Sequence, residues 1–111
     1  MIKRLENIKK ILENKKATNV DMIDLENKNY IVNSVIIATT LNSKHGDALL
    51  NYLKEELKPK NEEFLRVEQN DNWIIIDLGD IFIHLMSEDY RNTYKIEEFL
   101  EEIIQKENNI V

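Results

Sequence analysis

The chain has no cysteine among its 111 residues. Disulfide scaffolds, cysteine-ligated zinc, iron–sulfur clusters and thiol nucleophiles are excluded at once. Gly46 and Gly79 are the only glycines, and they are far apart. The close glycine pairs of a Walker A or G-x-G-x-x-G phosphate loop are therefore missing. The two histidines, His45 and His84, have no carboxylate at a metal-ligand spacing, so no metal site is expected. None of Ser34, Ser43 and Ser87 stands in a G-x-S-x-G turn. No apolar run approaches the ~20 residues that a bilayer span requires. The start, Met1-Ile2-Lys3-Arg4-Leu5-Glu6, is charged rather than signal-like. These absences lead us to expect a cytoplasmic protein with no membrane partner. Arginine is scarce, occurring only as Arg4, Arg66 and Arg91.

What remains is a composition able to fold. The hydrophobic share is 42% and the charged share 32%, which is ordinary for a chain with a core. The length suits one domain over residues 1–111. The formal net charge of -6 disfavours nonspecific nucleic-acid binding. No feature points to direct sequence-specific nucleic-acid recognition. An acidic chain does suit a basic protein partner. The charge is uneven: Lys3, Arg4, Lys9, Lys10, Lys15 and Lys16 mark the start, while Glu88, Asp89, Glu97, Glu98, Glu101 and Glu102 crowd the end.

Periodicity orders the elements. Leu5, Ile8, Ile11 and Leu12 recur at helical spacing. Val20 to Leu25 reads as a strand, and Asn27-Lys28-Asn29 as a turn. Val35 to Ala38 is apolar at every position, so both its faces should be covered. Asn42 or Ser43 can cap a helix whose stripe is Leu49, Leu50, Leu53 and Leu57, with Pro59 ending it. Phe64 to Glu68 suggests a short strand, and Asn70-Asp71-Asn72 a turn. Two β-branched runs from Trp73 to Met86 flank Leu78-Gly79-Asp80, the mark of an antiparallel hairpin. Alternation then places Phe82 and His84 on one face, with Ile81, Ile83 and Leu85 on the other. Thr93 can cap a last helix carrying Ile96, Phe99, Leu100, Ile103 and Ile104. The economical solution is an α/β (α+β) fold, a mixed five-stranded sheet with helices packed on it.

Candidate chemistry is thin. Asp77 and Asp80 straddle the tight turn and offer two carboxylates for a cation or for acid/base work; turn chemistry explains them more simply. His84 lies within a strand and His45 in a first helical turn, both suited to structural hydrogen bonds. Trp73, Tyr90 and Tyr94 are either recognition aromatics or partial core.

The segment Trp73-Ile74-Ile75-Ile76-Asp77-Leu78-Gly79-Asp80-Ile81-Phe82-Ile83-His84 resembles the W-x-x-x-D-x-G-D-x-x-x-H signature of the ribosomal silencing factor (Iojap-like) family. Glu88, Arg91, Tyr94, Ile96 and Glu97 continue it as that family's E-x-x-R-x-x-Y-x-L-E pattern. Upstream, Lys15-Lys16-Ala17 and Val35-Ile36-Ile37-Ala38-Thr39 with Asn42-Ser43-Lys44-His45 are similar to two further family segments. Asn33-Ser34, Thr40 and Leu100 depart from the family's Asp-Tyr, glycine and tryptophan. The resemblance implies a nucleotidyltransferase-like topology without the activity, since Thr40-Leu41-Asn42-Ser43 stands where the catalytic Gly-Ser turn and carboxylates would be. It implies a translation repressor, not an enzyme, and no cofactor. Such a factor docks on ribosomal protein L-fourteen of the large subunit and blocks small-subunit joining when nutrients are short. Whether the free protein forms a homodimer is left open by the sequence. Trp73, Asp77, Asp80, His84, Glu88, Arg91 and Tyr94 are the expected partner-binding residues. The alternative is a nucleotidyltransferase-like or metal-dependent enzyme using Asp77, Asp80 and His84.

Overall fold

The computed structural model describes residues 2–109; Met1, Ile110 and Val111, which the expected domain includes, lie outside the described residues. In chain order the elements are α1 (Ile2–Asn14), β1 (Thr18–Asp24), β2 (Ser34–Thr40), α2 (Ser43–Leu57), a 3-10 turn (Lys58–Lys60), β3 (Arg66–Gln69), β4 (Trp73–Asp77), β5 (Ile81–Ser87), α3 (Glu88–Tyr94) and α4 (Ile96–Asn109). The sheet order is β1-β2-β5-β4-β3. β2 and β5 are parallel, and every other neighbouring pair is antiparallel. The mixed five-stranded sheet expected from the sequence is present, with the Trp73–Met86 hairpin supplying its central strand.

Strand β2 is buried at every residue. Its side chains divide between two cores. Ile36 and Ala38 join Leu5, Ile8, Leu12, Leu49, Leu53, Ile76, Ile81, Ile83 and Leu85 beneath α1 and α2. Val35 and Ile37 join Ile23, Met86 and Leu100 on the other face, with Tyr90, Ile96, Ile103 and Ile104 packed against them from α3 and α4. An all-apolar strand needs two such covers, and the amphipathic helices supply them.

Local chemistry sets the junctions. Asn42 caps α2, its side chain accepting from the His45 amide at 2.8 Å. The His45 ring then ties two segments: Nδ1 accepts from Leu41 N–H at 3.0 Å, and Nε2 donates to the Lys15 carbonyl at 2.8 Å. Gly79 takes φ 98°, which the hairpin turn requires. Two expectations are corrected. The short strand runs Arg66–Gln69, leaving Phe64 outside it. The helix carrying Ile96, Phe99, Leu100, Ile103 and Ile104 is present as α4, but its expected cap is not, because a separate short helix, α3, precedes it. Ser87 caps α3, its hydroxyl accepting from Tyr90 N–H at 3.2 Å, and Thr93 lies inside α3 rather than at the cap of α4. Lys95 at φ 41° ends α3, and the Thr93 hydroxyl is spent on the Asp89 carbonyl.

Candidate functional site

Helices α3 and α4 cover only part of their sheet face. Over β4 and the hairpin side of β5 the face stays partly open. Odd positions of β4 point to it, so Trp73, Ile75 and Asp77 share it with Phe82 and His84 of β5. A cavity of about 250 Å³ opens there, lined by Ile31, Arg66, Glu68, Ile75, Asp77 and Phe82. Ile31 stands 75% exposed at its edge.

Aromatic packing organises the surface. The Trp73 and Tyr94 rings lie 5.2 Å apart, and Tyr94 in turn lies 5.4 Å from Tyr90. Tyr94 is 53% exposed. His84 lies deeper, with its ring 5.9 Å from Trp73 and 6.4 Å from Phe82 in an edge-on contact. The Trp73 indole Nε1–H donates to His84 Nδ1 at 3.0 Å, which leaves the imidazole proton on Nε2. Burial pushes the His84 pKa down to about 4. At neutral pH the group is therefore an uncharged acceptor.

That shift has a stability consequence. Between pH 6.5 and about 4 the unfolded histidine takes up a proton that the folded one refuses. Stability should fall with decreasing pH across this window, by on the order of 3 kcal/mol at its lower end. Thermal midpoints measured across it should flatten in His84→Asn. An unchanged slope in that variant would locate the effect elsewhere.

The seven residues expected to bind a partner are not one cluster. Trp73, His84 and Tyr94 come together. Asp77 borders the open cavity, but its Oδ1 accepts the Gly79 amide at 2.7 Å. Asp80 sits in the hairpin turn, gripped by Arg4 through bonds of 2.6 and 3.0 Å. Arg4 also binds Glu62 at 2.8 and 2.9 Å, and the Arg4 bond holds the Asp80 carboxyl below its ordinary pKa. Arg91 is 8% exposed. Its guanidinium donates to the Asn19 carbonyl at 2.5 Å, the Thr39 hydroxyl at 3.1 Å and Asp21 at 2.7 Å. Glu88 is exposed beside this network, lining a polar cavity of about 260 Å³ with Asp21, Arg91 and Glu97. Asp80 and Arg91 are thus engaged by the fold, and His84 lies under the surface rather than on it.

Sequence reasoning missed Ile31, Ile75 and Phe82 as part of this surface, and Arg4 and Asp21 as the partners of Asp80 and Arg91. Alternation along β4 and β5 carried the signal for Ile75 and Phe82. The ion pairs span 76 and 70 residues and leave no local trace.

Among the described residues no group of three or more His, Asp or Glu is placed to hold a metal ion, and no helix is long and apolar enough to cross a membrane. An aromatic centre beside carboxylates, on a sheet face that helices leave open, has the chemistry of a macromolecular contact. Fold and surface together define an α+β protein with an aromatic-centred, partly open sheet face. The family model described as "Ribosomal silencing factor during starvation" matches residues 1–110. The chain belongs to the ribosomal silencing factor family, whose members are regulators of translation. It is 30% identical over 95 residues to a ribosomal silencing factor of Haemophilus influenzae, covering 84% of this chain and 93% of that protein. Two crystal structures share the fold. One, of a Chromobacterium violaceum protein, has a TM-score of 0.82 at 23% identity, covering 91% of this chain and 87% of the other. The second, from Bacillus halodurans, has a TM-score of 0.77 at 24% identity, covering 89% and 94%.

Proposed function

We propose that this protein represses translation by binding the large ribosomal subunit through ribosomal protein L-fourteen and sterically blocking small-subunit joining when nutrients are limiting. Family membership over residues 1–110 supports the ribosomal role. The observation that carries the docking site is the open sheet face centred on Trp73 and Tyr94. In this reading Trp73 and Tyr94 are the anchors, Asp77 and Glu88 supply charge at the rim, and Asp80, His84 and Arg91 support them from within. A chain of net charge -6 is complementary to a protein that is basic because it also binds ribosomal RNA. The protein acts in the cytoplasm as a single domain without a cofactor. The enzyme reading using Asp77, Asp80 and His84 gains nothing from the geometry, since a backbone amide, Arg4 and the Trp73 indole already engage these groups.

The test is sedimentation of ribosomal subunits with and without the protein. It should co-sediment with large subunits and lower the yield of joined ribosomes in proportion to occupancy. Joining that proceeds unchanged at full occupancy would refute the steric mechanism. Nucleotide turnover that disappears in both Asp77→Ala and Asp80→Ala would favour the enzyme.

Charge at the rim should govern the approach of the partner. Glu88→Lys is expected to slow association and flatten its salt dependence. Its cost in stability should stay within about 1 kcal/mol, because Glu88 is exposed at the first turn of α3. Stopped-flow association at two ionic strengths reads the first effect, and thermal melting the second. Wild-type association kinetics in a folded Glu88→Lys protein would remove Glu88 from the docking surface.

A further inference from the structure

His84 occupies the central strand opposite Ile75 of β4 and Ile37 of β2. It is 8% exposed, so a partner resting on the open face meets Trp73 and Tyr94 before it. Trp73 pairs with Met86 across the ladder, which makes His84 its diagonal neighbour on the same face. Aromatic side chains reach across that diagonal. An indole held by apolar contacts alone has two flips about χ2 that bury similar area. They differ in where Nε1 points. Only one aims it at His84 Nδ1, and that is the flip observed, with the ring also against Tyr94.

We propose that His84 is a positioning residue of the docking surface: by accepting the Trp73 indole N–H it selects one flip of the ring and presents a single preformed anchor to the partner. His84 itself does not touch the partner. A leucine or phenylalanine would fill the same space but supply no acceptor. The gain in affinity is one of preorganisation, since a ring already fixed loses less freedom on binding. The inference rests on the reading of Trp73 as an anchor for the large subunit.

Trp73 is the only tryptophan, so one indole N–H resonance and one fluorophore report on it without interference. His84→Leu removes the acceptor. His84→Asn places a carbonyl oxygen close to where Nδ1 stood. The leucine variant should shift the indole N–H resonance towards its unbonded position and weaken large-subunit binding by about 5- to 10-fold. The asparagine variant should recover most of both. In a Trp73→Phe background, which has no indole N–H, adding His84→Leu should cost no further affinity. Equal weakening by leucine and asparagine would overturn the proposal. So would a shifted indole resonance at wild-type affinity, or a full effect of His84→Leu in the Trp73→Phe background. Should the leucine variant fail to fold, His84→Asn decides: it must keep both the bonded resonance and most of the affinity. Trp73→Ala separates the two levels. If it weakens binding while His84→Leu does not, only the positioning role fails; if it binds like wild type, the anchor reading fails and the inference with it.

Discussion

Trp73→Ala should reduce affinity for the large subunit by about 30-fold or more, the equivalent of roughly 2 kcal/mol, while the protein remains folded. A central aromatic of an interface carries this much because its truncation leaves a void between partners and exposes what the ring had kept dry. Trp73 is half-buried at the edge of the second core. Its loss should also cost about 1–3 kcal/mol of stability, less than the removal of a fully buried aromatic. The two costs separate experimentally: melting reads the second, and pelleting of the folded protein with large subunits reads the first. Tyr94→Ala is the companion, since Tyr94 is exposed and its truncation should spare the fold. If both variants stay folded and pellet like wild type, the open face is not where the ribosome binds.

The largest effect on folding is expected at Arg91. One buried guanidinium on α3 joins three other elements: the Asn19 carbonyl and Asp21 on β1, Thr39 on β2, and Glu97 at 3.9 Å on α4. The Asn19 carbonyl turns inward because β1 is irregular between Thr18 and Asp21, where Asn19 takes φ 46°. Asparagine tolerates that left-handed backbone better than most residues. Arg91→Met keeps the apolar stem and removes the fork. It should cost on the order of 3 kcal/mol, because a carbonyl and a hydroxyl lose their donor and Asp21 its counter-charge. At about 4–8 °C per kcal/mol for a chain of this size, the melting midpoint should fall by more than about 10 °C. Arg91→Lys should recover only part, since an ammonium cannot reproduce the planar fork. A midpoint within 2–3 °C of wild type, about half a kcal/mol, would mean that the network is dispensable.

Legibility in the sequence followed the range of the interaction. The all-apolar run at Val35–Ala38 announced a strand covered on both faces, because period and burial are local properties. The Trp73–Met86 hairpin was equally plain from its β-branched runs and Gly79. Helix α3 was missed because seven residues are too few to display a period, and because Thr93, which lies inside it, offered a plausible cap for the helix that follows. The site was half legible. Alternation placed Phe82 and His84 on a common face, and register added Trp73. The engagement of Asp80 by Arg4 was invisible, since it depends on how α1 lies against the hairpin turn. The family signature therefore mixes residues at the surface with residues that hold the fold, and sequence alone gives no means of sorting them.

Helix α1 is fastened at both ends. Near its start Arg4 grips Asp80 and Glu62, and just past its end the Lys15 carbonyl receives the His45 ring. Helix α4 is held near its start by the longer Arg91–Glu97 ion pair at 3.9 Å, and among its described side chains only Leu100 is fully enclosed. The two faces of the sheet should consequently open at different free energies. Amide hydrogen exchange should be slow in α1 and in the β2–β5 ladder, and faster along α4. Opening of α4 would uncover Val35, Ile37 and Met86 while the core beneath α1 and α2 persists. The first partly unfolded species would then display its greasy surface on the α3–α4 side of the sheet, where a partner docked as proposed would suppress it and a chaperone or protease would find it when that partner is absent.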